Sequence, residues 1–197
     1  MADNAAPRAW QRMLSGRRLD LLNPSPLDIE LADIAHGLAR VARWNGQTFG
    51  PHAFSVAQHC LLVEDLLAHL KPKITARDRL YALLHDAPEY VIGDMISPFK
   101  SVIGSNYRDV EMRLQEAVHQ RFSLPPAMPA SLAKAIKQAD RISAYLEAVQ
   151  LAGFAGPEAA KLFEKPPAAF AAIELQPLPV EEAQRAFSKR VMALDAE

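Results

Sequence analysis

Among the side chains of types that bind metal ions, four stand out by their positions: His59, the adjacent pair His85 and Asp86, and Asp140. Imidazole nitrogens and carboxylate oxygens together suit a borderline-to-hard divalent cation such as Mn, Co, Fe, Ni, Zn or Mg, and four such donors leave positions open for water. Each residue also has a plainer reading. A buried histidine commonly just finds a hydrogen-bond partner, which would account for His59. His85 and Asp86 could form a polar cluster in solvent at a helix end. Asp140 could sit in an ordinary ion pair with Lys137 or Arg141.

The elements that carry these residues favour the joint reading. Val56, His59, Val63, Leu66 and Leu70 recur at three- and four-residue intervals, so a helix beginning near Ser55 turns His59 inward with its apolar residues. A further helix opens with Thr75 as its cap and runs through Leu80, Leu83 and Leu84 to Pro88, which lacks a backbone N–H and must disturb or restart it. His85, Asp86 and Glu89 gather at that break. Successive helical side chains diverge by about 100°, so His85 and Asp86 converge on one ion only if it lies at the helix end. A buried carboxylate there calls for a cation. Ile136, Asp140 and Ala144 share one stripe of a helix expected over 131–151, which turns Asp140 inward. Other helices are expected from an Asp28 cap to near Arg43, over 107–122 and over 181–194. The Pro-containing stretch 156–179 reads as a connection with room for one short helix, and alternating strand patterns are absent. His36, His52, His69 and His119 fall outside the pattern and read as structural or exposed.

Length and composition set the frame. The chain has 197 residues, half of them apolar and 23% charged, with a formal net charge of -1. That suits one globular domain and gives no basic excess for a nucleic-acid polymer, so a small-molecule substrate is expected. Cys60, the single cysteine, cannot form an internal disulfide, and residues 1–11 lack the apolar run of a signal peptide, which points to a cytoplasmic protein. No stretch approaches the length of apolar sequence that a membrane helix needs.

The ordered set of His59, His85-Asp86 and Asp140 resembles the HD phosphohydrolase superfamily, whose ligands are a His, a later His-Asp doublet and a distal Asp. The resemblance spans most of the chain from Ile34 to Leu151. Arg43-Trp44, AQHC around His59, LLHDAPE ending at Glu89, Gly93-Asp94, SPFK over 97–100 and KQAD ending at Asp140 are similar to the bacterial 5'-deoxynucleotidase branch. Gln58, Cys60 and Pro88 depart from that branch without touching the ligands.

The resemblance implies an all-α, single-domain bundle of the HD type. It is divided here into an N-terminal extension over 1–25, the metal-binding helical domain over 26–155 and a C-terminal connection and helix over 156–197. It implies one divalent metal and hydrolysis of the 5'-phosphate of deoxynucleoside monophosphates, with a homodimer expected by analogy. Glu89 would carry the proton. Arg43 offers a planar fork of donors to phosphate, Trp44 a ring for sugar or base, and Asp94 an acceptor for the 3'-hydroxyl. Lys100 is a lesser phosphate candidate. The rival activity on the same scaffold is deoxynucleoside triphosphate triphosphohydrolysis, and the rival of another class is a non-catalytic nucleotide-binding module.

Overall fold

The computed structural model describes residues 8–96, 99, 102, 105–170 and 172–196. It is mostly helical, as expected: α1 (Leu31–Leu38), α2 (Val56–Leu70), α3 (Ala76–Leu83), α4 (Glu89–Ile92), α5 (Ser105–Arg121), α6 (Ala130–Gln150), α7 (Gly156–Leu162) and α8 (Val180–Asp195). Helix α2 is central, packed against α3, α6 and α8, while α1 lies against α4 and α8. Ile34, Val63, Leu67, Leu83, Ile142 and Phe187 are among the buried residues that bring these helices into one core.

Local chemistry sets the starts of the two helices that matter most. The Ser55 side chain accepts from the backbone N–H of Gln58 at 3.3 Å, and Thr75 accepts from that of Asp78 at 3.1 Å. Each cap satisfies a donor that the first helical turn leaves over. Pro88 does end the α3 segment: α3 closes at Leu83, 85–88 form turns, and Pro88 caps the short α4. Buried Glu64 of α2 meets Arg79 of α3 at 2.5 Å and also pairs with Arg190 of α8, tying the last helix to the centre. Gln58 accounts for its own departure from the nucleotidase pattern. Its amide donates to the Gln176 carbonyl at 2.9 Å and accepts from the Leu178 N–H at 3.0 Å, a two-way clasp that a glutamate could not make.

Two expectations need correction. The first helix does not run from an Asp28 cap to Arg43. Ser25 caps a 3-10 turn over Pro26–Asp28, Ile29 and Glu30 are extended, and α1 covers only Leu31–Leu38. Beyond it, Ala42 bridges to Ser55, with the Arg43 N–H donating to the Phe54 carbonyl at 2.8 Å, so backbone pairing pulls the chain out of helix. A two-stranded hairpin, β1 (Trp10–Arg12) and β2 (Arg18–Asp20), was not expected, because strands of three residues carry too little periodicity to read. It buries Leu19 and is moored to α1 by Asp33, which accepts from the N–H and hydroxyl of Ser15 at 2.9 and 2.5 Å.

Gly37 lets α1 approach α4 closely: a Cβ there would lie 2.7 Å from the Tyr90 carbonyl oxygen. Gly37→Ala is therefore expected to cost about 1–3 kcal/mol in urea unfolding, the usual range for overpacking. Because Tyr90 follows Glu89, it should also lower activity by more than the loss of folded protein explains.

Candidate metal centre

His59 is fully buried on α2. Its Nδ1 lies 2.6 Å from Glu147 Oε1, and since a carboxylate only accepts, Nδ1 carries a proton. The other nitrogen, Nε2, faces Asp86 Oδ2 at 3.5 Å and Asp140 Oδ1 at 3.4 Å. His85 is oriented the same way from the turn after α3. Its Nδ1 donates to the Ala82 carbonyl at 2.8 Å, and its Nε2 stands 3.3 Å from Asp86 Oδ2. Asp140 reaches in from α6, and its Oδ2 accepts from the exposed Lys137 at 2.6 Å. The ion pair with Lys137 thus exists, but it occupies one oxygen and leaves the other facing His59.

These groups fit a divalent cation. Ligand atoms of His59, His85 and Asp140 lie within 4.8 Å of one another, and Asp86 borders both imidazoles. Neither Nε2 atom has a hydrogen-bond partner among the described residues, although both are buried. Burial opposes charge on His85, yet Asp86 outweighs it and pushes the imidazole up to about 10. Burial and Arg43 oppose charge on His59, but Glu147, Asp140 and Asp86 raise it well above the usual histidine range. Burial works against the charge on Asp86 and Asp140 as well, and the imidazoles hold both carboxyls below their ordinary range. The cluster calls for positive charge, which protons supply in the metal-free chain and one divalent cation can supply in their place.

That exchange fixes a pH dependence. A histidine raised on folding stabilises fully below its unfolded pKa of about 6.5 and loses that contribution as pH climbs through its folded value. The metal-free protein should therefore melt at lower temperature as pH rises from about 6.5 towards 10, the value to which His85 is raised. Metal uptake releases the same protons, so affinity should strengthen over that window. Melts with chelator and with added metal check the opposite signs, and titration calorimetry in two buffers counts the protons.

The other expected site residues lie around this cluster. Glu89, at the start of α4, is 3% exposed; burial chiefly raises the Cys60 thiol, and against burial Glu147 and Asp94 chiefly raise Arg43, with Asp86 and Glu89 adding to both. Arg43 donates from Nη1 to Asp94 Oδ2 at 2.9 Å and from Nε to Glu147 Oε2 at 3.3 Å. Trp44 donates its indole N–H to the same Glu147 oxygen at 2.9 Å, while its ring packs against Phe154 and Phe163 at centroid distances of 5.7 and 5.6 Å. Lys100 lies outside the described residues. Surface clefts of about 550 Å³ beside Leu70 and about 390 Å³ between the hairpin and α1 border neither His59 nor Asp140, so the polar cluster, not cleft size, marks the site.

The sequence reading missed Glu147. It is fully buried and touches His59, Ser143, Arg43 and Trp44. Its signal was present: Ile136, Asp140, Ser143 and Glu147 follow one another at spacings of four, three and four along α6.

The profile of the family described as 5'-deoxynucleotidase YfbR-like matches residues 31–174, well over half of the chain. The chain belongs to this YfbR-like family. As a YfbR-like protein of the HD superfamily it is a hydrolase acting on phosphate esters. An uncharacterized protein of Rhodobacter capsulatus is 59% identical over 186 residues, covering 93% of this chain and 94% of its own length. That likeness runs beyond the family match at one or both ends. No helix among the described residues is long and apolar enough to cross a membrane.

Proposed function

We propose that this YfbR-like protein removes the 5'-phosphate from deoxynucleoside monophosphates, with one divalent metal held by His59, His85, Asp86 and Asp140. The observation that carries the reading is the convergence of two unpartnered imidazole nitrogens on two carboxylates, beside an arginine fixed by two more. A divalent ion in such a set polarises a phosphoryl oxygen and lowers the pKa of a water.

The chain's own residues do the rest. Arg43 spends two of its five N–H donors on Glu147 and Asp94 and aims the remainder at the phosphate, where they offset charge that develops on it. Asp94 has a second oxygen that can accept the 3'-hydroxyl. Trp44 borders the sugar or base. Glu89, buried at the start of α4, accepts the proton of the attacking water and returns it to the departing 5'-oxygen. A cytoplasmic setting and a homodimer belong to the same reading, on family likeness.

The test is product analysis on a nucleotide panel run with several metals. Inorganic phosphate from deoxynucleoside 5'-monophosphates is the expected result. Tripolyphosphate from triphosphates would transfer the reading to the triphosphohydrolase, and tight nucleotide binding without any product would leave a binding module.

A further inference from the structure

Glu147 spends all of its acceptor capacity on four donors drawn from three parts of the chain. Oε1 accepts from His59 Nδ1 of α2 at 2.6 Å and from the Ser143 hydroxyl of α6 at 2.7 Å. Oε2 accepts from Trp44 Nε1 at 2.9 Å and Arg43 Nε at 3.3 Å. An ionised carboxylate offers about four lone-pair directions, so this one is saturated. Burial opposes its charge, and His59 and Arg43 together hold the carboxyl below its ordinary range.

The two halves of this arrangement face different parts of the site. Through Oε1, Glu147 keeps the proton of His59 on Nδ1 and leaves Nε2 toward Asp86 and Asp140. Through Oε2, it joins Asp94, the Phe54 carbonyl and the rings of Phe154 and Phe163 in holding a turn in which Trp44 (φ 57°) and Asn45 (φ 50°) are both left-handed, a conformation that costs a non-glycine residue roughly 1–2 kcal/mol. A residue needed only to neutralise Arg43 would have no use for the histidine, and one needed only to orient the histidine would have no use for the turn.

We propose that Glu147 is a positioning residue that locks, with one carboxylate, both the metal-facing form of His59 and the strained Arg43–Trp44 turn that grips the substrate. The proposal rests on the functional reading above, in which His59 is a ligand and Arg43 meets phosphate. It makes metal affinity and substrate affinity two readouts of one side chain. It also makes the two oxygens separable. Ser143→Ala disturbs only the histidine side, and Trp44→Phe removes only the indole donor while keeping a ring among Phe154 and Phe163.

The decisive variant is Glu147→Gln, which keeps the shape but must turn an NH2 group toward one pair of donors. Zn²⁺ affinity is measured by competition with a chelating dye. The His59 ring N–H is followed by 15N NMR of the Zn²⁺-loaded protein, and kcat and KM are taken on the best nucleotide. Glu147→Gln is expected to weaken Zn²⁺ binding by about 10- to 100-fold, the range seen when a ligand's outer partner is lost. The His59 Nδ1–H resonance should shift or vanish, and KM should rise as kcat falls. Ser143→Ala should weaken Zn²⁺ several-fold with little change in KM, and Trp44→Phe should raise KM with Zn²⁺ affinity within about twofold of wild type.

A Glu147→Gln protein that melts earlier yet keeps wild-type Zn²⁺ affinity, His59 resonance and KM would show a core anchor and overturn the proposal. If Glu147→Gln does not fold, the Ser143→Ala and Trp44→Phe pair decides: affinity and KM moving together in both, or in neither, overturns it. A wild-type protein that binds no metal and hydrolyses no nucleotide would instead defeat the functional reading.

Discussion

Glu89→Gln is expected to hold metal and nucleotide as the wild type does and to turn over about a hundred to ten thousand times more slowly, the range that general acid–base catalysis supplies. The substitution keeps volume and hydrogen-bonding reach but cannot take up a proton. Glu89 suits that role by position: it is 3% exposed, follows the His85-Asp86 turn by three residues, and its charge is felt by Arg43 and Cys60. Since α4 begins at Glu89 instead of continuing α3, the carboxylate is placed by Pro88 and by the Gly37 contact beneath Tyr90. Steady-state rates, metal content and nucleotide affinity on one preparation make the comparison. Near wild-type turnover would reduce Glu89 to a buried neighbour, and loss of metal would make it a ligand.

Asp140→Ala should fail differently, losing metal and turnover together. It removes the oxygen that faces His59 Nε2 at 3.4 Å and leaves Lys137 without its partner. The fall in affinity should exceed the 10- to 100-fold that loss of an outer partner costs. In the metal-free protein the same change strips His59 of a carboxylate that favours its charge, so the melting temperature should drop as well. An Asp140→Ala protein with full metal content would remove α6 from the site.

What could be read in the sequence was whatever short-range chemistry decides. Ser55, Thr75 and Pro88 act on the backbone within a few residues, and they set helix starts where the sequence placed them. The inward faces of His59 and Asp140 followed from apolar neighbours at helical spacing, and both side chains meet at the cluster. Long-range pairing was not legible. α1 ends early because Ala42 bridges to Ser55, thirteen residues on, and the hairpin exists because Leu19 and Asp33 find partners distant in sequence. Glu147 lay on a legible stripe, at helical spacing from Ile136, Asp140 and Ser143, and only its partners were not legible: His59, Arg43 and Trp44 come from elsewhere in the chain.

Anomalous diffraction from crystals soaked in Zn²⁺ tests the central claim most directly. One peak is expected, at about 2.0–2.2 Å from His59 Nε2, His85 Nε2 and one oxygen each of Asp86 and Asp140, with Glu89 and Glu147 outside bonding distance. A peak that omits any two of the four, or Zn²⁺ bound only elsewhere on the surface, would contradict it.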